Sequence, residues 1–326
     1  MKKWTSLLSL VLVIGLVLSA CGGNSNGGAG GTTEGAGKAE GDGEAQTRAV
    51  KHAMGTSNVP AHPKRVVVLT NEGTEALLEL GIKPVGAVKS WTGEPWYEHI
   101  KADMEGVVDL GEEGQPNLEA ILSLQPDLIL GTKMRHEALY QQLSDIAPTV
   151  FSETLRGEWK ENLLLWADAV NKKAEGEQLI QNFDKRVEDF RAKAGDQLNK
   201  EVSIVRFMPG KVRIYYKQTF SGIILDQIGI KRPEAQQKDA FADDVSKERI
   251  PEMDGDLMFY FVYETGNQEA SKLEEEWTKD KLWQNLNVVK NNQVFRVDDA
   301  IWNTAGGVRA ANLMLDDLYK QYHLEK

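Results

Sequence analysis

The sequence predicts an α/β protein of two similar Rossmann-like lobes, each with a central, mostly parallel sheet, joined by one long interlobe helix. Three observations carry this. Short apolar runs alternate with helix-period segments in two separate blocks, the pattern of parallel sheets covered by helices. Between the blocks, Trp159 to Leu198 contains no proline, and Leu179, Phe183, Val187, Phe190 and Ala194 recur at steps of four and three. Two phrases also recur in the same order on either side of that stretch. Asn117-Leu118-Glu119-Ala120-Ile121 leading to Asp127-Leu128 matches Ser246-Lys247-Glu248-Arg249-Ile250 leading to Asp256-Leu257. Leu77 with Leu80-Gly81-Ile82-Lys83 matches Leu225 with Ile228-Gly229-Ile230-Lys231.

The chain has 326 residues, 41% apolar and 27% charged, enough for a sizeable core in one or two domains. A formal charge of -11 argues against nucleic acid as a partner, since polyanions need a basic surface. Lys2 and Lys3 precede the apolar run Leu7 to Leu18, which is short for a membrane span. Leu18-Ser19-Ala20-Cys21 then resembles a bacterial lipobox. Residues 1–20 are expected to be a signal peptide cleaved before Cys21, whose sulfur and amino group would carry acyl chains, palmitate among them. Cys21 is the sole cysteine, so no intrachain disulfide can form. Residues 21–46, rich in Gly, Ala, Ser and Asn, read as a flexible tether.

The first lobe is assigned to 47–158. Arg65 to Leu69 is a strand, Ala76 to Leu80 a helix stopped at Gly81, and Pro84 to Val88 a second strand. Asn117 caps a helix through Leu124; Pro126 precedes the strand Leu128–Leu130. Glu137 to Ile146 is helical, and Thr149 to Phe151 extended. Residues 159–198 form the connection, with a helix from Ala174 to Ala194 about 30 Å long at roughly 1.5 Å per residue. The second lobe is assigned to 199–326. Val202–Phe207 and Val212–Tyr216 are strands around Pro209-Gly210, Ser221–Ile228 is a helix stopped at Gly229, and Leu257–Val262 and Val294–Val297 are strands. Ala305 to Tyr322 is a terminal helix.

No catalytic phrase is present: G-x-S-x-G, G-x-x-x-x-G-K-[ST] and H-E-x-x-H are absent. His52, His62, His99, His136 and His323 are not paired at metal-ligand spacing. What stands out is arginine and aromatic residues after strands, where open α/β sheets bind ligands. Trp91 and Trp96 follow the second strand; Lys133 and Arg135 follow Leu128–Leu130. Arg206, Arg213, Tyr215 and Tyr216 lie on or beside the first strands of the second half. Tyr263 follows Leu257–Val262, and Trp302, Asn303 and Arg309 follow the last strand. Guanidinium forks facing indoles suit a planar, polar, anionic ligand. Trp96 and Tyr216 fit core packing equally well, Arg213 fits a solvent-facing strand position, and Arg309 has Asp316 or Asp317 as alternative partners.

The lipobox, the paired halves, the long connecting helix and the phrases KRVVVLTNEGTEALLELGIKPVG and QPNLEAILSLQPDLIL together resemble the cluster A (class III) substrate-binding lipoproteins of bacterial ABC importers. The segments SWTGEPWY, SETLRGEW, VRFMPG and IWNTAGGVRAANLMLDD look especially like iron(III)-hydroxamate receptors of Gram-positive bacteria, of schizokinen and arthrobactin type. The resemblance implies a non-enzymatic, monomeric receptor on the extracytoplasmic face of the cell membrane. It would bind a ferric siderophore, which supplies all the iron ligands, so no cofactor or protein-bound metal is expected. The implied ligand-binding set is Trp91, Arg135, Arg206, Tyr215, Tyr263, Trp302, Asn303 and Arg309. Glu119 and Glu248, superposed by the internal repeat, would dock on the ABC permease, which works with its ATPase; as first-turn acids both also suit a helix dipole. Related Gram-negative hydroxamate binders place an arginine shortly before the PNLE phrase. Here Glu112-Glu113-Gly114-Gln115 stands there, which leaves Arg135 as the basic contact of the first lobe. Alternative ligands are haem, cobalamin or a catecholate siderophore; haem needs an axial ligand, for which His136 and Met134 are the candidates.

Overall fold

The computed structural model describes residues 46–326. The expected signal peptide, the lipidation site Cys21 and nearly all of the tether lie outside the described residues. In the first lobe, apolar Val66–Val68 forms the middle of a five-stranded, wholly parallel sheet. Its spatial order is Val108–Asp109, Gly86–Ala87, Val66–Val68, Leu128–Thr132 and Thr149–Ser152. The central strands Val66–Val68 and Leu128–Thr132 are buried along their whole length, which explains their runs of Val, Ile and Leu. A hairpin of Thr47–His52 and Gly55–Pro60, not anticipated from sequence, covers the sheet edge. There Ala53 N–H donates to Phe151 O (3.0 Å) and Ser57 Oγ to Thr149 O (2.7 Å).

The second lobe repeats the plan with one change. Its order is Ala242–Val245, Lys211–Tyr215, Val202–Met208, Leu257–Val262 and Val294–Arg296. The last three are parallel, whereas Lys211–Tyr215 runs antiparallel to both of its neighbours, turning back from Val202–Met208 at Pro209-Gly210. The repeated phrases occupy equivalent places. Leu118–Ser123, capped by Asn117, leads to Leu128–Thr132; Lys247–Met253, tightened to a 3-10 helix containing Pro251, leads to Leu257–Val262.

The connection is two helices, Trp159–Ala169 and Lys173–Ala194. The longer has 22 residues, about 33 Å, and ends at Gly195 with φ 50°. Its buried face is Gly176, Phe183, Val187, Phe190 and Ala194. Leu179, expected on that face, is partly buried against the same core. That core runs without a break through Val66 and Leu128 of the first lobe, the connecting helices, and Phe259 and Leu315 of the second.

The lobes also touch directly. The first helix, Asn71–Glu79, packs on the terminal helix, Val308–Gln321. Glu72, Glu75 and Glu79, at helical spacing, point toward that contact. Glu75 accepts from Ala310 N–H (3.0 Å) at the positive end of the terminal helix and pairs with His99. Glu79 pairs with Arg309 Nε (2.6 Å). The approach is close because Gly307 has no side chain: a Cβ there would lie 2.5 Å from Glu75 Oε2.

Candidate binding cleft

Between the lobes opens a cavity of ≈ 590 Å³, lined from the first lobe by Lys89–Glu94 with Glu112 and Glu113, and from the second by Tyr263–Gly266. Trp91, in the loop after Gly86–Ala87, stands on its wall. Arg135 lies over the Trp91 ring, 5.3 Å from its centroid, and its Nε is 2.6 Å from Glu113 Oε1. Glu113 is itself buried and accepts from Asn71 N–H (3.0 Å) and Nδ2 (2.9 Å) at the start of the first helix. The acidic phrase without a base thus supplies the counter-charge that orients Arg135.

Across the cleft, Arg206 projects from the central strand of the second lobe. Its Nε and Nη2 hold Asp299 in a fork (2.6 and 3.0 Å), Nη1 donates to the Tyr215 hydroxyl (3.0 Å), and its guanidinium lies 4.7 Å from the Tyr263 ring centroid. Burial opposes the Arg206 charge, but Asp299 and Tyr215 overcome that and hold its pKa above the ordinary value. Burial likewise raises the Tyr263 phenol, so it stays protonated at neutral pH.

Arg156 is the residue that sequence reasoning missed. It follows Thr149–Ser152, in the same kind of post-strand loop that singled out Arg135. It adopts φ 71°, and its N–H donates to Glu72 Oε2 (2.6 Å). Its guanidinium sits 5.7 Å from the Phe241 ring and has no carboxylate partner within 4.0 Å among the described residues. Burial lowers its pKa, and the charges of Arg135, Arg206 and Glu113 reach it, which puts the three arginines in one electrostatic field. Beneath them Glu72 is fully enclosed, and burial pushes its carboxyl up to about 8 despite the Arg156 N–H and Asn162 Nδ2 (2.7 Å) donors.

Four of the expected ligand contacts are placed otherwise. Trp302 is fully buried in a π-helical turn, stacks on Phe259 at 4.5 Å and donates to Asp317 Oδ2 (2.8 Å), so its indole has no face for the cleft. Arg309 bridges the lobes through Glu79 and Asp103 (both 2.6 Å), using neither Asp316 nor Asp317. Tyr215 is buried and reaches the site through Arg206 alone. Asn303 is buried with its amide unpartnered. Trp91, Arg135, Arg206 and Tyr263 do come together around the cleft. Trp96 and Tyr216 are core residues, Arg213 pairs with Asp244 (2.6 Å), and Lys133 pairs with Glu153 (2.7 Å). His136 is buried, with Nε2 on Glu113 O (2.7 Å) and Nδ1 accepting from Thr132 N–H (3.2 Å), so neither nitrogen is free for a haem iron. Glu119 and Glu248 are exposed in the first turns of their helices, one on each lobe.

Two α/β lobes braced by a helix, with cations and aromatic faces meeting across a cleft, define a two-lobed substrate-binding protein. Comparison with known proteins places it further: the chain belongs to the periplasmic binding protein family, whose model matches residues 66–301. It is 55% identical to the probable siderophore-binding lipoprotein YfiY of Bacillus subtilis, over 98% of each chain. It is 33% identical to the achromobactin-binding periplasmic protein of Dickeya dadantii, over 78% of this chain and 85% of that one. Among solved structures, Staphylococcus aureus SirA complexed with staphyloferrin B superposes with a TM-score of 0.79 at 40% identity, over 86% of this chain and 99% of that one. These relatives are substrate-binding proteins, a non-enzymatic class, and the chain is one as well.

Proposed function

We propose that this protein is an extracytoplasmic lipoprotein of iron uptake, anchored through Cys21, that captures a ferric citrate-hydroxamate siderophore and delivers it to an ABC importer. The observation that carries the reading is the meeting of Arg135, Arg156 and Arg206 between the Trp91 and Tyr263 faces. Arg135 and Arg206 already hold Glu113 and Asp299, so their charges are compensated and their guanidiniums are fixed in place. Arg156 is free to take a carboxylate of the ligand. Iron is the cargo, and the siderophore supplies its coordinating oxygens. The siderophore binders among the relatives support the ligand class.

The test is a fluorescence titration against ferric schizokinen, ferric citrate and a ferric catecholate. The citrate-hydroxamate complex is expected to quench Trp91 saturably and raise Tm. Arg156→Ala is expected to weaken that binding by about 2 kcal/mol or more, the cost of losing a desolvated charged partner. The absence of both quenching and stabilisation with the ferric hydroxamate would overturn the ligand assignment. For delivery, Glu119 and Glu248 are the docking residues toward the permease. Replacing both with Ala is expected to leave ligand binding unchanged and abolish uptake; wild-type uptake by that double variant would refute docking through them.

A further inference from the structure

A second cavity, ≈ 390 Å³, lies on the second lobe away from the cleft, lined by Lys217, Asp226, Arg232, Gln236 and Lys238 among others. Arg232 is its unusual member. Its Nε donates to Val202 O (2.6 Å), and Nη2 donates to Tyr215 O (2.6 Å) and Gln236 Oε1 (2.7 Å). All three acceptors are neutral. No carboxylate lies within 4.0 Å of it among the described residues, whereas Arg48, Arg135, Arg186, Arg206, Arg213, Arg249, Arg296 and Arg309 each have one. Among the described residues Nη1 makes no hydrogen bond, and Arg232 lines the cavity. Burial depresses the pKa to about 10, the mark of a desolvated cation without a counter-charge.

We propose that this cavity is a binding site for a small oxyanion, a carboxylate or phosphate, held by Arg232 Nη1 and flanked by Lys217 and Lys238. The guanidinium is already fixed by its three acceptors, so little side-chain entropy is lost when the anion arrives. Lys217 and Lys238 pair with Asp226 (3.1 Å) and Asp243 (2.9 Å) at the rim, and Asp239 also lines the cavity. Gln236 is fully buried and spends its amide on Ser203 Oγ (2.7 Å) and Glu252 O (3.0 Å), so the cavity floor is rigid. Tyr215 joins this site to the cleft, giving its carbonyl to Arg232 and its hydroxyl to Arg206.

The test follows the arginine Nε–H resonances of the whole protein by NMR, with the Arg232 signal assigned by its loss in Arg232→Gln. Inorganic phosphate and citrate are titrated separately at constant ionic strength. A saturable shift of the Arg232 resonance with either anion is expected, and which anion moves it identifies the class. Lys238→Ala, at an exposed rim position that keeps the fold, is expected to weaken that response about threefold, as for a solvated charge pair. A shift that never saturates, or movement of cleft arginines alone, would overturn the proposal. So would an unchanged response in Lys238→Ala.

Discussion

Glu72 is a residue whose chemistry is strongly altered by its position. Its carboxyl titrates at about 8 in the fold, because burial outweighs the two hydrogen bonds it accepts. An acid whose folded pKa lies above its unfolded value binds its proton more tightly in the folded state. Its ionisation therefore costs stability as pH rises from about 4.5 to about 8. Glu72→Gln is expected to be more stable than wild type by about 2–4 kcal/mol at pH 8.5, with the gain vanishing near pH 5. Urea unfolding at the two pH values measures this, and a gain that does not depend on pH would refute it. Nothing along the chain marked Glu72, because its environment comes from Arg156 and Asn162, far away in sequence. The same limit explains the mixed outcome for the cleft. Position after a strand finds the right loops, and it found Trp91, Arg135 and Tyr263. It does not give the direction of a side chain. The turn Ala300–Thr304 faces Trp302 inward, while Arg156, in a loop of the same kind, carries its guanidinium across to the Phe241 ring of the second lobe.

At the scale of elements, the first helix does more than cover its sheet. Its glutamate stripe meets the N-terminus of the terminal helix across a gap that only glycine permits at position 307. Gly307→Ala is expected to lower stability by about 1–3 kcal/mol, the range for forced overpacking, and chemical denaturation measures it. An unchanged midpoint would show that the helices separate freely. Most elements were legible in the sequence because their periodicity is set by burial on one or both faces. Leu128–Thr132 and Lys173–Ala194 read directly for that reason. The hairpin Thr47–Pro60 and the strand Ala242–Val245 did not: TRAVKH and ADDV carry too few apolar residues, and pairing with a neighbouring strand decides their conformation. The first helix starts at Asn71, earlier than the expected Ala76, because Thr70 caps it by accepting from Gly73 N–H and the polar first turn is buried rather than apolar.

At the scale of the molecule, three separate connections hold the lobes at one spacing: the 22-residue helix, the shared core and the Glu75 and Glu79 contacts. A single hinge has nowhere to bend without breaking one of them. Small-angle scattering curves of the free and ferric-ligand-bound protein are therefore expected to superimpose; a lobe rotation on the order of tens of degrees would contradict this. The glutamate stripe also bears on how the chain acquires its fold. Ala310 reaches Glu75 across 235 positions, and Arg309 reaches Glu79 across 230. A first lobe made ahead of the rest holds acids on its open face whose partners have yet to be made. Closure of these contacts waits for the helix Val308–Gln321, which carries both partners. A chain without that helix would leave Glu75 and Glu79 without these partners and the face they cover open to proteolysis.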